Sequence, residues 1–234
     1  MTDVVKLLNK DLDAETKYFL GSNIQIGVKA FLQFKTENIE FLKFPKNTLV
    51  LGHLLSYSVE KQLYTAVFNP EITLTAKIKK VNGYGCRTIE IVSPNFVFNI
   101  GKTRKKNALL NKSKYKEEAA KMNFGLVGEQ LSLSLDNIVQ NSFSIPKRYA
   151  QITYGFDNTI EELKYANILI PNSGYTDSIY SLELITKEKN SLYAVNKKEE
   201  EMIVSLKKEL KREFMGEANW CWIGWVVWLR KIKI

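Results

Sequence analysis

The sequence predicts an α+β fold, and three observations predict it. Near residue 70 the hydrophobic period changes from three-and-four spacing to strict alternation. Helix-like and strand-like runs come in blocks rather than in βαβ alternation. After the last strand-like run, the chain returns to helical spacing from Asn196 onward. The expected order is N-terminal helices, an antiparallel β meander, a short basic helix, further strands and a C-terminal amphipathic helix.

Residues 3–19 carry Val4, Val5, Leu7, Leu8 and Leu12 among Lys and Asp, which predicts a first helix capped by Thr2 or Asp3. Ser22 is the candidate cap of a second, with Ile24, Val28, Phe31 and Leu32 on one face. The alternation Ile24, Ile26, Val28 also fits a short strand. Leu51, Leu54, Leu55, Val59, Leu63 and Val67 predict a helix over 49–68, ended by Asn69-Pro70. Ile72, Leu74, Ala76 and Ile78 then alternate with Thr73, Thr75, Lys77 and Lys79, Val81–Gly85 turn, and Arg87–Val92 returns. After Ser93-Pro94-Asn95, Phe96–Ile100 completes a three-stranded meander over 72–100. Ser113 is placed to cap a short helix through Met122. Strand-like runs follow at Gln130–Leu135, Ala150–Phe156, Leu163–Ile170 and Ile179–Ile185, with Asp157-Asn158 as a hairpin turn. Met202, Ile203, Leu206, Leu210 and Phe214 share one face of a helix over 197–215, and Gly216 suits its C-cap. Residues 1–216 read as one domain, with 124–145 as the one candidate boundary, and 217–234 as a Trp-rich tail.

Composition narrows the function classes. The 234 residues hold 34 Lys and Arg against 25 Asp and Glu, a net charge of +9. That balance favours acidic partners such as nucleic acid. One histidine, His53, and two cysteines, Cys86 and Cys221, exclude a four-ligand Cys/His zinc site, HExxH chemistry and a disulfide-stapled fold. No Walker A motif, GxGxxG or Gly-x-Ser-x-Gly occurs. The N-terminus lacks the basic-then-apolar pattern of a secretory signal, so a cytoplasmic location is expected. His53 lies within an apolar helix and reads as packed or half-exposed rather than catalytic, and Cys86 reads as a half-buried strand residue. No cofactor and no resident metal are implied.

The positive charge is local. Residues 101–121 contain Lys102, Arg104, Lys105, Lys106, Lys112, Lys114, Lys116 and Lys121, opposed by Glu117 and Glu118. Eight cations against two carboxylates leave +6 of the chain's +9. A Lys/Arg loop leaving a strand presents cations to phosphates, and each phosphate neutralised releases counterions. Tyr115 offers a ring for base stacking, and Lys147-Arg148 extend the patch if the fold brings them close. The competing reading is a solvated lysine-rich surface. No helix-turn-helix, zinc finger or basic zipper pattern is present, so backbone contacts are the expected mode.

A magnesium-dependent nuclease needs clustered carboxylates. Glu71, Glu90 with Lys77 or Lys79 opposite it, and Asp157 with Glu161 and Glu162 are the candidates, but none shows the Asp…Glu-x-Lys spacing of a restriction-type core. Glu15-Thr16-Lys17 matches the tripeptide alone, on a predicted helix.

All four tryptophans, Trp220, Trp222, Trp225 and Trp228, fall in a run of about ten apolar residues, half of the roughly 20 a bilayer span needs. Docking on the body or on a protein partner is favoured over a membrane interface, and an end foreign to the natural domain is the third reading. The expected function is therefore non-catalytic nucleic-acid binding through the basic loop and helix, as in a regulatory or mobile-element accessory factor. The alternatives are a magnesium-dependent nuclease, or an interaction module such as an inhibitor or antitoxin using the tail.

Overall fold

The computed structural model describes residues 2–43, 45–68, 72–81, 87–126, 147–156, 163–185 and 197–215. The fold is α+β. Helices α1 (Thr2–Asp11), α2 (Ala14–Glu37), α3 (Ile39–Leu42) and α4 (Pro45–Ala66) precede strands β1 (Thr75–Lys80), β2 (Arg87–Val92) and β3 (Phe96–Lys102). Helix α5 (Lys114–Ala120) and a 3₁₀ turn, Lys121–Asn123, follow. Strands β4 (Arg148–Phe156), β5 (Leu163–Pro171) and β6 (Ser178–Ile185) and helix α6 (Lys197–Met215) complete the described chain.

The N-terminal helices depart from expectation. A single helix over 3–19 does not form, because Asp13 takes an extended conformation (φ −69°, ψ −178°) and its carboxylate accepts the Thr16 N–H at 2.8 Å. This cap satisfies a donor that an unbroken helix would not free, and it starts α2 there. Ser22, expected as a cap, lies inside α2 and bonds its hydroxyl to the Phe19 carbonyl at 3.2 Å. The strand reading of Ile24–Val28 fails for a different reason. α2 is covered on more than one side, so Ile24 and Val28 enter the main core while Ile26 packs with Ala30, Ile203 and Leu206 of α6. α4 runs over 45–66 rather than 49–68, with Leu54, Leu55, Val59 and Leu63 buried. His53 is exposed on it.

The six strands form one sheet in sequence order. Every neighbouring pair is antiparallel except β3 and β4. Two three-stranded meanders thus meet at a parallel seam. A parallel pair needs a crossover connection rather than a hairpin, and here the connection contains the basic segment. The alternation read over 72–100 forms β1 to β3, with pairing beginning at Thr75 rather than Ile72 and running on to Lys102, and the runs at 150–156, 163–170 and 179–185 fall within β4, β5 and β6. The expected strand at Gln130–Leu135 and the turns at 82–85 and 157–158 lie outside the described residues, as does Gly216.

α2 and α4 cover one face of the sheet. Ile91, Phe96, Phe98, Ile100, Ala150, Ile152, Tyr154, Ala166, Ile168 and Ile170 supply the apolar layer beneath them. The helices approach closely at Gly27, where a β-carbon would stand 2.8 Å from Val59 Cα and the Ser58 hydroxyl reaches the Gly27 carbonyl at 2.7 Å. The opposite sheet face carries a different composition, and the basic segment lies on it.

Candidate nucleic-acid interface

Strand β4 is buried on both faces, from Tyr149 to Gly155. Its apolar residues meet α2 and α4, so Tyr149, Gln151 and Thr153 are left for the other face. Register extends this into a polar row: Lys77 opposes Glu90, Glu90 opposes Asn99, and Asn99 opposes Gln151. Glu90, Asn99, Gln151, Thr153 and Asn167 are all buried there. Buried polar groups are costly unless hydrogen-bonded, and the chain between β3 and β4 supplies their partners.

That chain crosses the sheet as a strap. Leaving β3, Thr103 N–H bonds the Tyr154 carbonyl at 2.9 Å, and the Tyr165 hydroxyl donates to the Thr103 carbonyl at 3.1 Å. The strap reaches β6, where Lys106 Nζ lies 2.8 Å from Glu183. Next to it Asn107, in the left-handed region at φ 62°, accepts from Asn167 Nδ2 at 3.0 Å and Ser181 Oγ at 2.8 Å. It then turns back to the seam. Leu110 N–H donates to Gln151 Oε1 at 3.1 Å, and the Leu110 carbonyl accepts the Tyr175 hydroxyl at 2.8 Å. The Leu110 side chain occupies the space that a β-carbon at Gly101 would fill, 2.7 Å away. From there the strap crosses to β2, where the Tyr115 hydroxyl donates to Glu90. Asn123 closes it, donating to the Tyr149 and Pro171 carbonyls at 2.8 and 2.7 Å and accepting the Tyr149 N–H at 2.9 Å. From the β6 anchor to the β2 anchor the strap passes four strand spacings of about 4.8 Å, roughly 19 Å.

The anchors are joined beneath the strap. Asn99 Nδ2 donates to the Tyr115 hydroxyl at 3.2 Å, and the Tyr149 hydroxyl donates to Asn99 Oδ1 at 2.9 Å. Gln151 Nε2 donates to the hydroxyls of Tyr149 and Tyr175 at 3.0 and 2.7 Å. Burial raises the pKa values of Tyr115, Tyr149 and Tyr175, and for Tyr115 the Glu90 carboxylate adds to it, so these phenols stay protonated as donors. Burial also pushes the Glu90 carboxyl up, but bonds from Tyr115, Lys77 and Lys79 outweigh it and hold the group below its ordinary range. Lys77 and Lys79 stand 3.1 and 3.2 Å from this carboxylate.

The strap's cations sort into two sets. Lys106 pairs with Glu183, Lys112 with Glu117 and Lys121 with Glu118, while half-buried Lys116 donates to the Asn111 carbonyl at 2.8 Å, with burial lowering its pKa. Lys102, Arg104, Lys105 and Lys114 are exposed and make no ion pair or side-chain hydrogen bond among the described residues. Tyr115 is turned inward by its bond to Glu90, and Lys79 Nζ lies 4.7 Å from its ring centroid, so that face of the ring is occupied. Lys147 and Arg148 sit apart from Lys102. The parallel register pairs Arg148 with Phe96 and Tyr154 with Lys102, so six steps of about 3.3 Å, roughly 20 Å, separate the two ends. Lys147 Nζ donates to the Ser93 carbonyl at 2.6 Å, and Arg148 donates to the Met122 and Phe124 carbonyls at 2.8 and 3.1 Å. Trp220, Trp222, Trp225 and Trp228 lie outside the described residues.

Among the other candidates, the Glu90 carboxylate is taken up by two lysines and a tyrosine, and Glu15 is exposed in the first turn of α2. Glu71, Cys86, Asp157, Glu161 and Glu162 lie outside the described residues. Among the described residues no three His, Cys, Asp or Glu side chains cluster as a metal site, and no helix is long and apolar enough to cross a membrane. The polar row of Asn99, Tyr149, Gln151 and Tyr175 is what the sequence reading missed. Its one sequence signal is the alternation of Tyr149, Gln151 and Thr153 with apolar residues, which looks the same for a solvent-facing strand.

No family model, curated protein or solved structure matches this chain.

Proposed function

We propose that the chain is a non-catalytic nucleic-acid-binding protein that contacts the phosphate backbone through its basic strap. One observation carries this reading: Lys102, Arg104, Lys105 and Lys114 have no counter-ion among the described residues, yet the segment bearing them is fixed to the sheet at β6, β4 and β2. Solvated lysines that serve only solubility need no such frame. A strap already fixed to the sheet loses less loop freedom on binding, which lowers the cost of association. Four unpaired cations on a strap of roughly 19 Å suit repeated phosphates better than a single anion. Recognition of the backbone without base readout follows from the residue types, since lysines contact phosphates as point charges.

The test is fluorescence anisotropy with labelled duplexes of unrelated sequence. Replacing Lys102, Arg104, Lys105 and Lys114 together with Ala weakens binding of every duplex to a similar degree, while the circular dichroism spectrum stays unchanged. Unchanged affinity in this folded variant refutes the reading.

A further inference from the structure

Glu90 is the most heavily engaged carboxylate on the strap face, and it lies under the point where the strap meets the edge strand. Its side chain is 2% exposed, whereas those of Lys77 and Lys79 are 57% and 48% exposed. Two ammonium groups share one carboxylate, so the cluster keeps a net charge of +1. Each ammonium has three N–H donors, and only one is needed for Glu90. The same carboxylate receives the Tyr115 hydroxyl, and Lys79 stands over the Tyr115 ring at 4.7 Å. Lys114 is the next residue in the chain, so strap and edge strand are joined at this point without a gap.

Lysines on an edge strand also serve to block pairing with another sheet. That role asks only for charge along the edge. It does not account for two lysines on the same face of β1, both drawn to one buried carboxylate under the basic segment. We infer that the polyanion-binding surface continues past α5 onto β1, with Lys77 and Lys79 together supplying one further phosphate contact and Glu90 as the residue that positions them. The belt then spans β1 to β6, five strand spacings or roughly 24 Å. Its ligand is an elongated polyphosphate backbone crossing the strands. This inference rests on the nucleic-acid reading above.

The experiment measures the slope of log K against log salt for a random-sequence DNA duplex longer than the belt. The triple variant Lys77→Gln, Lys79→Gln, Glu90→Gln removes this contact without leaving a buried carboxylate unpaired. Its slope becomes shallower by about 0.9, the value for the one phosphate that the cluster's net charge of +1 neutralises on duplex DNA. Lys77→Gln alone leaves Lys79 and Tyr115 on Glu90 and makes the slope shallower by about 0.9; it serves if the triple variant does not fold. Lys80→Gln removes the same net charge as the triple variant, but from the other face of β1, and leaves the slope at the wild-type value. Glu90→Gln alone takes away the carboxylate that holds the two lysines and lifts the cluster from +1 to +2, so the slope steepens by about 0.9; a wild-type slope in this folded variant shows that Glu90 does not govern the lysines and overturns its positioning role.

A triple variant or Lys77→Gln that keeps the wild-type slope overturns the inference. So does an equal change in Lys80→Gln, which reduces the effect to net charge. If the strap variant of the preceding section loses affinity while these variants do not, only the β1 extension falls. If wild-type protein shows no salt-dependent binding of DNA, both fall.

Discussion

Substituting Gln151 with Met tests whether the polar row beneath the strap holds this fold together. Gln151 is fully buried, and Met approximates its length and volume, so packing changes little. Three hydrogen bonds disappear: Leu110 N–H to Oε1 at 3.1 Å, and Nε2 to the hydroxyls of Tyr149 and Tyr175 at 3.0 and 2.7 Å. The losses are unequal. Tyr149 still donates to Asn99 and Tyr175 still donates to the Leu110 carbonyl, so neither hydroxyl is orphaned. Leu110 N–H, at a residue 5% exposed, has no other acceptor among the described residues and is left buried without one. Such an orphan costs about 1–3 kcal/mol, and each of the other bonds about 0.5–1.5 kcal/mol. The apolar side chain recovers part of this, which leaves a destabilisation of about 2–4 kcal/mol. Urea denaturation followed by far-ultraviolet circular dichroism reads it as a lower midpoint at constant m. Hydrogen exchange at the Leu110 amide accelerates more than at core strand amides such as Ile152. Ser205→Ala, at an exposed position of α6, provides the reference, within about 0.5 kcal/mol of wild type. A Gln151→Met protein as stable as that reference refutes the reasoning, because the row then contributes nothing that an apolar residue cannot.

Three further outcomes are expected. Burial raises the Glu60 carboxyl from 4.5 to about 7, so its folded state prefers the neutral form. That contribution is fully present below pH 4.5 and is lost as pH rises through about 7; because the side chain is only half-buried, Glu60→Gln raises stability at pH 8 by about 1–3 kcal/mol and has little effect at pH 4, measured by urea melts at both pH values. Glu90 has the opposite sign: its lowered folded pKa stabilises the protein above the ordinary carboxyl value and is lost as pH falls through the folded value, so Glu90→Gln flattens the acid limb of a thermal-stability profile. Gly27→Val forces α2 away from α4, where even a β-carbon stands 2.8 Å from Val59 Cα, and costs about 1–3 kcal/mol or more in chemical denaturation.

The fold class was legible because hydrophobic period and burial agree over most elements. β1 to β3 alternate in sequence as a meander should, although β1 is nearly all exposed and β2 and β3 bury neighbouring residues on both faces, and α6 keeps one apolar stripe because it packs on one side of α2. Where an element is covered on several sides, the pattern loses its period. Ile24, Ile26 and Val28 in α2 looked strand-like for this reason, and the true signal there was Asp13 at the cap. The parallel seam was not legible, since nothing local in Phe96–Lys102 or Arg148–Phe156 states which strand pairs with which. The candidate site was legible as charge and hidden as structure. The lysines announce themselves by number, but which of them are neutralised depends on Glu183, far along the chain, and on Glu117 and Glu118 nearby. Glu90 with Lys77 and Lys79 was visible from register alone; that Tyr115 would join it, and so fix the basic segment to β2, required the strap's path across the sheet.

The most direct measurement is the salt dependence of wild-type binding to duplex DNA and to a single strand of the same length. The four unpaired strap cations alone set a slope of log K against log salt near −3.6 on duplex DNA and near −2.8 on the single strand, at about 0.9 and 0.7 per phosphate; the β1 lysines, with a net charge of +1 beside Glu90, bring these to about −4.5 and −3.5. Slopes in these ranges, similar across unrelated sequences, are the expected result. A slope near zero, or binding confined to one sequence and insensitive to salt, contradicts a phosphate-contacting strap.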